Sequence, residues 1–103
     1  MATNKTLTKR KLIKFLNDNL EDTVGTDFDS AIVVMSGKAG LEYSRYSGGG
    51  RWFISFEGSI LSYIMNAYWE HKSWEEFFNR FSKFLTDHGT YHELGESWNM
   101  SIY

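Results

Sequence analysis

Six apolar residues in one short stretch, Trp74, Phe77, Phe78, Phe81, Phe84 and Leu85, recur at spacings of three, four and seven. That spacing places them on one face of an α-helix. Ser73 and Glu76 stand three apart, the capping-box spacing at which each side chain satisfies a backbone N–H of the first turn. Gly89, directly after His88, suits the left-handed position that ends helices. The predicted helix therefore runs from Ser73 to Gly89. A stripe of one indole and four phenyl rings has to leave water, so the rest of the chain must supply its cover.

Other segments carry their own signals. Thr6 and Thr8 are both N-cap candidates for a first helix reaching Leu20, with Leu12, Ile13, Phe15, Leu16 and Leu20 as its apolar side. Phe28 to Ser36 contains the β-branched run Ala31-Ile32-Val33-Val34-Met35 and predicts a central strand. Ser36-Gly37-Lys38-Ala39-Gly40 reads as a turn, with a second strand over Leu41 to Tyr46. Ser47-Gly48-Gly49-Gly50 then predicts a hairpin tip, where positive φ favours glycine. From Arg51 to Phe56 the chain alternates, with Trp52, Ile54 and Phe56 inward and Arg51, Phe53 and Ser55 outward. Ser59 caps a helix from Ile60 to about Trp69. At the C-terminal end Trp98, Met100 and Ile102 alternate with Ser97, Asn99 and Ser101, which predicts a last strand. The expected fold class is α+β in two layers: an antiparallel three- to four-stranded meander with helices packed on one face, in the order αβββαα plus the C-terminal strand.

The 103 residues are expected to form a single domain, residues 1–103, with a frayed leader over residues 1–6. No apolar run approaches the roughly 18–20 residues that span a membrane, and with no cysteine there is no disulfide framework. The expectation is a cytoplasmic protein without membrane contact.

The formal charge of −2 hides a segregation. Residues 1–14 hold Lys5, Lys9, Arg10, Lys11 and Lys14 with no acid, whereas residues 15–30 hold Asp18, Glu21, Asp22, Asp27 and Asp29 with no base. On the first helix this order opposes the dipole, which prefers acids first and bases last. Either charged end is thus a candidate for facing a partner, and a solvated face on a helix held by packing explains the same order.

Motifs that carry chemistry are weak. Ser36-Gly37-Lys38 lacks the spacing and strand-to-helix context of a phosphate-binding loop. His88 and His92 are four apart, but Gly89 interrupts their helix and no cysteine completes a site. No nucleophile-elbow motif is present. No catalytic residue, metal or cofactor is therefore assigned, and the chain is read as a non-enzyme.

Two binding readings remain. Four Trp, six Tyr and eight Phe exceed what a domain of this size ordinarily hides, and Tyr and Trp are common interface anchors. Tyr46, Phe53 and Trp69, with the acids Asp27, Asp29, Glu75 and Glu76, are the candidates for contact with a protein partner. Acids beside aromatics suit a basic partner surface. The alternative is a small nucleic-acid-binding module in which Lys9, Arg10, Lys11 and Lys14 of the first helix join Arg45 and Arg51 of the glycine hairpin. A homo-oligomer is compatible with either.

The element order over residues 8–88, one helix, a three-stranded meander and two helices in a short chain without cysteine, resembles that of small phage-encoded anti-CRISPR proteins. The resemblance implies a phage or mobile-element inhibitor that blocks a host nucleic-acid-binding complex. It places Asp27, Asp29, Glu75 and Glu76 on the acidic face that such inhibitors present in place of DNA.

Overall fold

Thr8 opens the first helix. Its Oγ1 accepts a hydrogen bond from the Lys11 N–H at 3.1 Å, and α1 runs Lys9–Asn19 with Leu12 and Leu16 fully buried. The computed structural model describes residues 6–44 and 49–103, so the expected leader lies outside the described residues apart from Thr6. After α1 come β1 (Val24–Gly25), β2 (Ile32–Ser36), α2 (Gly37–Tyr43), β3 (Trp52–Ser55) and α3 (Ile60–Ala67). A 3-10 turn (Tyr68–Glu70), α4 (Lys72–Asp87), β4 (His92–Leu94) and β5 (Asn99–Ile102) complete the chain.

The fold class is α+β, but the sheet departs from the expected meander. Among the described residues it has five strands in the order β1-β2-β3-β5-β4. β1 pairs parallel to β2, and the other pairs are antiparallel. The C-terminal β5 thus enters the middle of the sheet, with Met100 and Ile102 fully buried.

One face of the sheet carries Ile32, Val34, Ile54, Phe56, Met100 and Ile102 into a core shared with α1, α3 and α4. Phe15 of α1 lies 6.1, 5.8 and 4.4 Å from the rings of Phe77, Phe81 and Phe84. The cover demanded by the aromatic helix is therefore α1 together with the sheet.

The largest correction lies at residues 36–44, where the expected turn and the start of the expected strand are replaced by the helix α2 on the opposite face; the rest of that strand, residues 45 and 46, lies outside the described residues. Ser36 ends β2 in extended backbone, and its Oγ accepts the Ala39 N–H at 3.1 Å, so the serine of the supposed turn is an N-cap. A Cβ on Gly40 would come within 2.5 Å of Phe53 Cγ. Only glycine lets the helix lie this close to the strand. The expected hairpin tip is likewise corrected: Gly49 and Gly50 adopt φ of +90° and +69° in a connection that leads from α2 into β3. Gly48 lies outside the described residues.

The ends of α4 differ from one another. The helix begins at Lys72, His71 makes no side-chain cap, and the Glu75 N–H donates to the His71 carbonyl at 3.0 Å. The Ser73–Glu76 capping box is thus displaced: the helix begins at Lys72 with His71 at the N-cap, two residues before a Ser73 cap would place it, while Tyr68 of the 3-10 turn stacks on Phe78 at 4.0 Å. At the far end the Thr90 N–H donates to the Leu85 carbonyl and the Gly89 N–H to that of Thr86. With Gly89 at φ +69°, this is the Schellman arrangement expected of the glycine.

Candidate protein-binding surface

The corner where α3 turns into α4 presents rings to water. Tyr63 of α3 and Trp69 of the 3-10 turn are 63% and 65% exposed. Tyr63 packs against Trp74 at 6.4 Å, and the His71 ring meets Trp74 edge-on at 4.2 Å. Trp69 is held edge-on by Tyr68 at 5.2 Å, and Tyr68 in turn stacks on Phe78. The exposed indole therefore stands on a column of rings that reaches the core. Such an anchor loses little side-chain freedom when a partner covers it.

Glu70, Glu75 and Glu76 are exposed at the same end of α4. Carboxylates in a first helical turn are favoured by the dipole, which accounts locally for Glu75. Trp69, Glu75 and Glu76 are thus all exposed in the segment where α4 begins. Tyr63, absent from the sequence-based candidates, joins them, and its place outside the apolar stripe of Ile60, Leu61, Ile64 and Ala67 is the signal that marks it.

The remaining candidates lie elsewhere. Asp27 and Asp29 sit in the loop between β1 and β2, toward the sheet edge opposite β4, so they do not share a face with α4. Asp27 Oδ1 accepts from the Asp29 N–H at 3.1 Å and from Ser30 Oγ at 3.3 Å, so its carboxylate shapes the turn. Phe53, expected outward, does point to the second face of the sheet, but α2 encloses it completely. It offers no surface to a partner. Tyr46 and Arg45 lie outside the described residues.

The bases of α1 are partly engaged. Lys9 Nζ lies 5.8 Å from the centre of the Trp52 ring, Lys11 Nζ donates to the Thr6 carbonyl at 3.0 Å, and Lys14 pairs with Asp18 at 2.9 Å. Arg10 and Arg51 are exposed. The acids beyond α1 also have internal work: Asp22 Oδ2 accepts the Ile60 N–H at 3.1 Å, while Ser59 Oγ accepts that of Leu61. Asp22 thereby caps α3, which gives one of the segregated acids a structural reason.

The two histidines are separated in role. His88 Nδ1 lies 2.7 Å from the Phe84 carbonyl oxygen. The His92 ring faces Phe78 and Phe81 at 5.5 and 6.1 Å, and burial pushes its pKa below the ordinary 6.5. The unfolded chain therefore binds a proton at higher pH than the folded one. Stability is expected to fall as pH drops below about 6.5 and to level off once His92 is protonated in the fold as well. Urea denaturation at about pH 7.5 and about pH 5 checks this: His92→Gln should lose less stability across the interval than the parent, and equal losses would refute it.

Among the described residues no group of three or more His, Asp or Glu is placed to hold a metal ion, and no helix is long and apolar enough to cross a membrane. The α3–α4 corner thus presents the exposed rings of Tyr63 and Trp69 and, where α4 begins, the exposed carboxylates of Glu70, Glu75 and Glu76. Comparison with family models, curated proteins and solved structures gives no match for the chain.

Proposed function

We propose that the chain is a non-enzymatic binding protein that captures another protein through the α3–α4 corner, in the manner of a phage or mobile-element inhibitor. The observation that carries the reading is Trp69, an indole 65% exposed yet braced by the Tyr68–Phe78 stack. Braced aromatic residues dominate the energetics of protein interfaces. The exposed carboxylates Glu70, Glu75 and Glu76 favour a partner with a basic surface, such as the nucleic-acid-binding face of a host protein. Steric and electrostatic occupation of that face is the proposed mode of action, and no bond is made or broken.

The test is affinity capture from a nuclease-treated bacterial lysate on the immobilised chain. The parent should retain a basic protein. Trp69→Ala should cut retention by about tenfold or more, the scale of a hot-spot side chain, with an unchanged Tm because the ring lies mostly in water. Equal retention by the variant would refute the corner as the site. Capture seen only from a lysate not treated with nuclease would favour the nucleic-acid reading built on Lys9, Arg10, Lys11, Lys14, Arg45 and Arg51.

A further inference from the structure

The outer edge of β2 is only half covered. β1 is two residues long, and its register partners are Ile32 and Val33, so among the described residues Val34, Met35 and Ser36 continue with no strand on that side. Backbone groups of successive residues in a strand point to alternate sides. The Gly37 N–H donates to Arg51 on the β3 side, and the Ile32 N–H donates to Thr23 on the β1 side. Val34 and Ser36 share the direction of Ile32. The Val34 C=O and the Ser36 N–H therefore point outward past the end of β1, and no hydrogen bond reaches either among the described residues.

These groups border a groove of about 470 Å³. Val34 is fully buried on the helix face, so it meets the groove through its backbone. Val33, Met35 and Ala39 form an apolar floor. One wall is Phe28, 74% exposed and stacked on Tyr43 at 5.8 Å. Glu42 lines the same side, and Asp27 and Asp29 flank Phe28 in the loop. Among the described residues the one basic lining residue is Lys9, whose ammonium is drawn to Trp52.

An apolar trough beside unpaired strand groups has the makings of a β-addition site, in which main-chain hydrogen bonds give affinity and alternate side chains give specificity. We propose that this groove receives an extended peptide segment of a partner protein, which prolongs the line of β1 along β2. Its backbone pairs with the Val34 C=O and the Ser36 N–H. An apolar side chain settles on Val33, Met35 and Tyr43, and a neighbouring lysine or arginine faces Glu42. The site lies at the sheet edge remote from β4, so it is independent of the α3–α4 corner.

Hydrogen exchange and titration of the ¹⁵N,¹³C-labelled full chain test the proposal. In the free protein the Ser36 amide should exchange about 100-fold faster than those of Met35 and Gly37, as an unbonded edge group does. The probe is the acetylated, amidated pentapeptide Lys-Thr-Phe-Thr-Lys at up to about 5 mM. It should slow Ser36 exchange and shift the Ser36 amide and Val34 carbonyl signals. The counterpart Glu-Thr-Phe-Thr-Glu should bind about tenfold more weakly, and Glu42→Lys, at an exposed position, should narrow that difference without altering Tm. A Ser36 amide as protected as its neighbours in the free chain overturns the proposal. So does a peptide that shifts only residues of the α3–α4 corner, or none.

Discussion

Replacing Phe81 by alanine will destabilise the fold by about 3–5 kcal/mol, the usual cost of deleting a buried phenyl ring. Phe81 is fully enclosed, and its neighbours come from three elements: Phe15 of α1 at 5.8 Å, Phe77 of α4 at 5.9 Å and His92 of β4 at 6.1 Å. Those rings are fixed by their own helices and strand, so the walls of the resulting cavity cannot close together. In urea denaturation the midpoint should drop while the m-value stays constant. Phe81→Leu should lose markedly less, because it refills most of the space. A loss below about 1 kcal/mol for the alanine variant would show that the site collapses, contrary to this packing.

Gly37→Ala will have the second large effect, a loss of about 1–3 kcal/mol or more through overpacking. The added methyl group overlaps the carbonyl oxygen of Gly50 and crowds that of Gly49. Both neighbours are backbone, so no side chain can swing aside. The same glycine donates its N–H to the Arg51 carbonyl and accepts the Gly49 N–H at 3.1 Å each, which locks the start of α2 to the entry of β3. The variant should therefore loosen α2 selectively: amide protection over residues 37–43 should fall first, and Phe53 should become accessible to solvent. Uniform loss of protection across the molecule would show that α2 is no separate unit.

Much of this architecture was legible because its signals are periodic. α1, α3, α4, β3 and β5 each repeat their apolar residues at the spacing of the element they form, and burial rewards that spacing directly. α2 was not legible. Two glycines in seven residues weaken a helix by about 1 kcal/mol each relative to alanine, so Gly37 and Gly40 argue locally for a turn. What favours the helix is tertiary: the Ser36 cap and the close approach to Phe53. β1 and β4, of two and three residues, are too short to carry a period at all. At the α3–α4 corner, Trp69, Glu75 and Glu76 were readable as exposed residues of a turn and a first helical turn. Phe53 was misread because alternation reports which face of a sheet a side chain takes, and a second face with a helix on it is also interior. Phe28 went unnoticed between its two aspartates, although a ring so flanked has little apolar company in its own segment.

The place of β5 bears on how the molecule assembles. Trp52 pairs with Ile102, residues fifty positions apart, so the middle of the sheet is closed by its latest segment and not by a neighbour in sequence. Ordering so long an intervening loop precedes the reward of strand pairing, and folds dominated by distant contacts reach their native state slowly. The β4–β5 ribbon arrives as the keystone: until it seats, β3 is an open margin and the phenylalanine stripe of α4 lacks its floor. Apart from the local opening of α2, the sheet and the helices on its core face should accordingly fold and unfold in one concerted step.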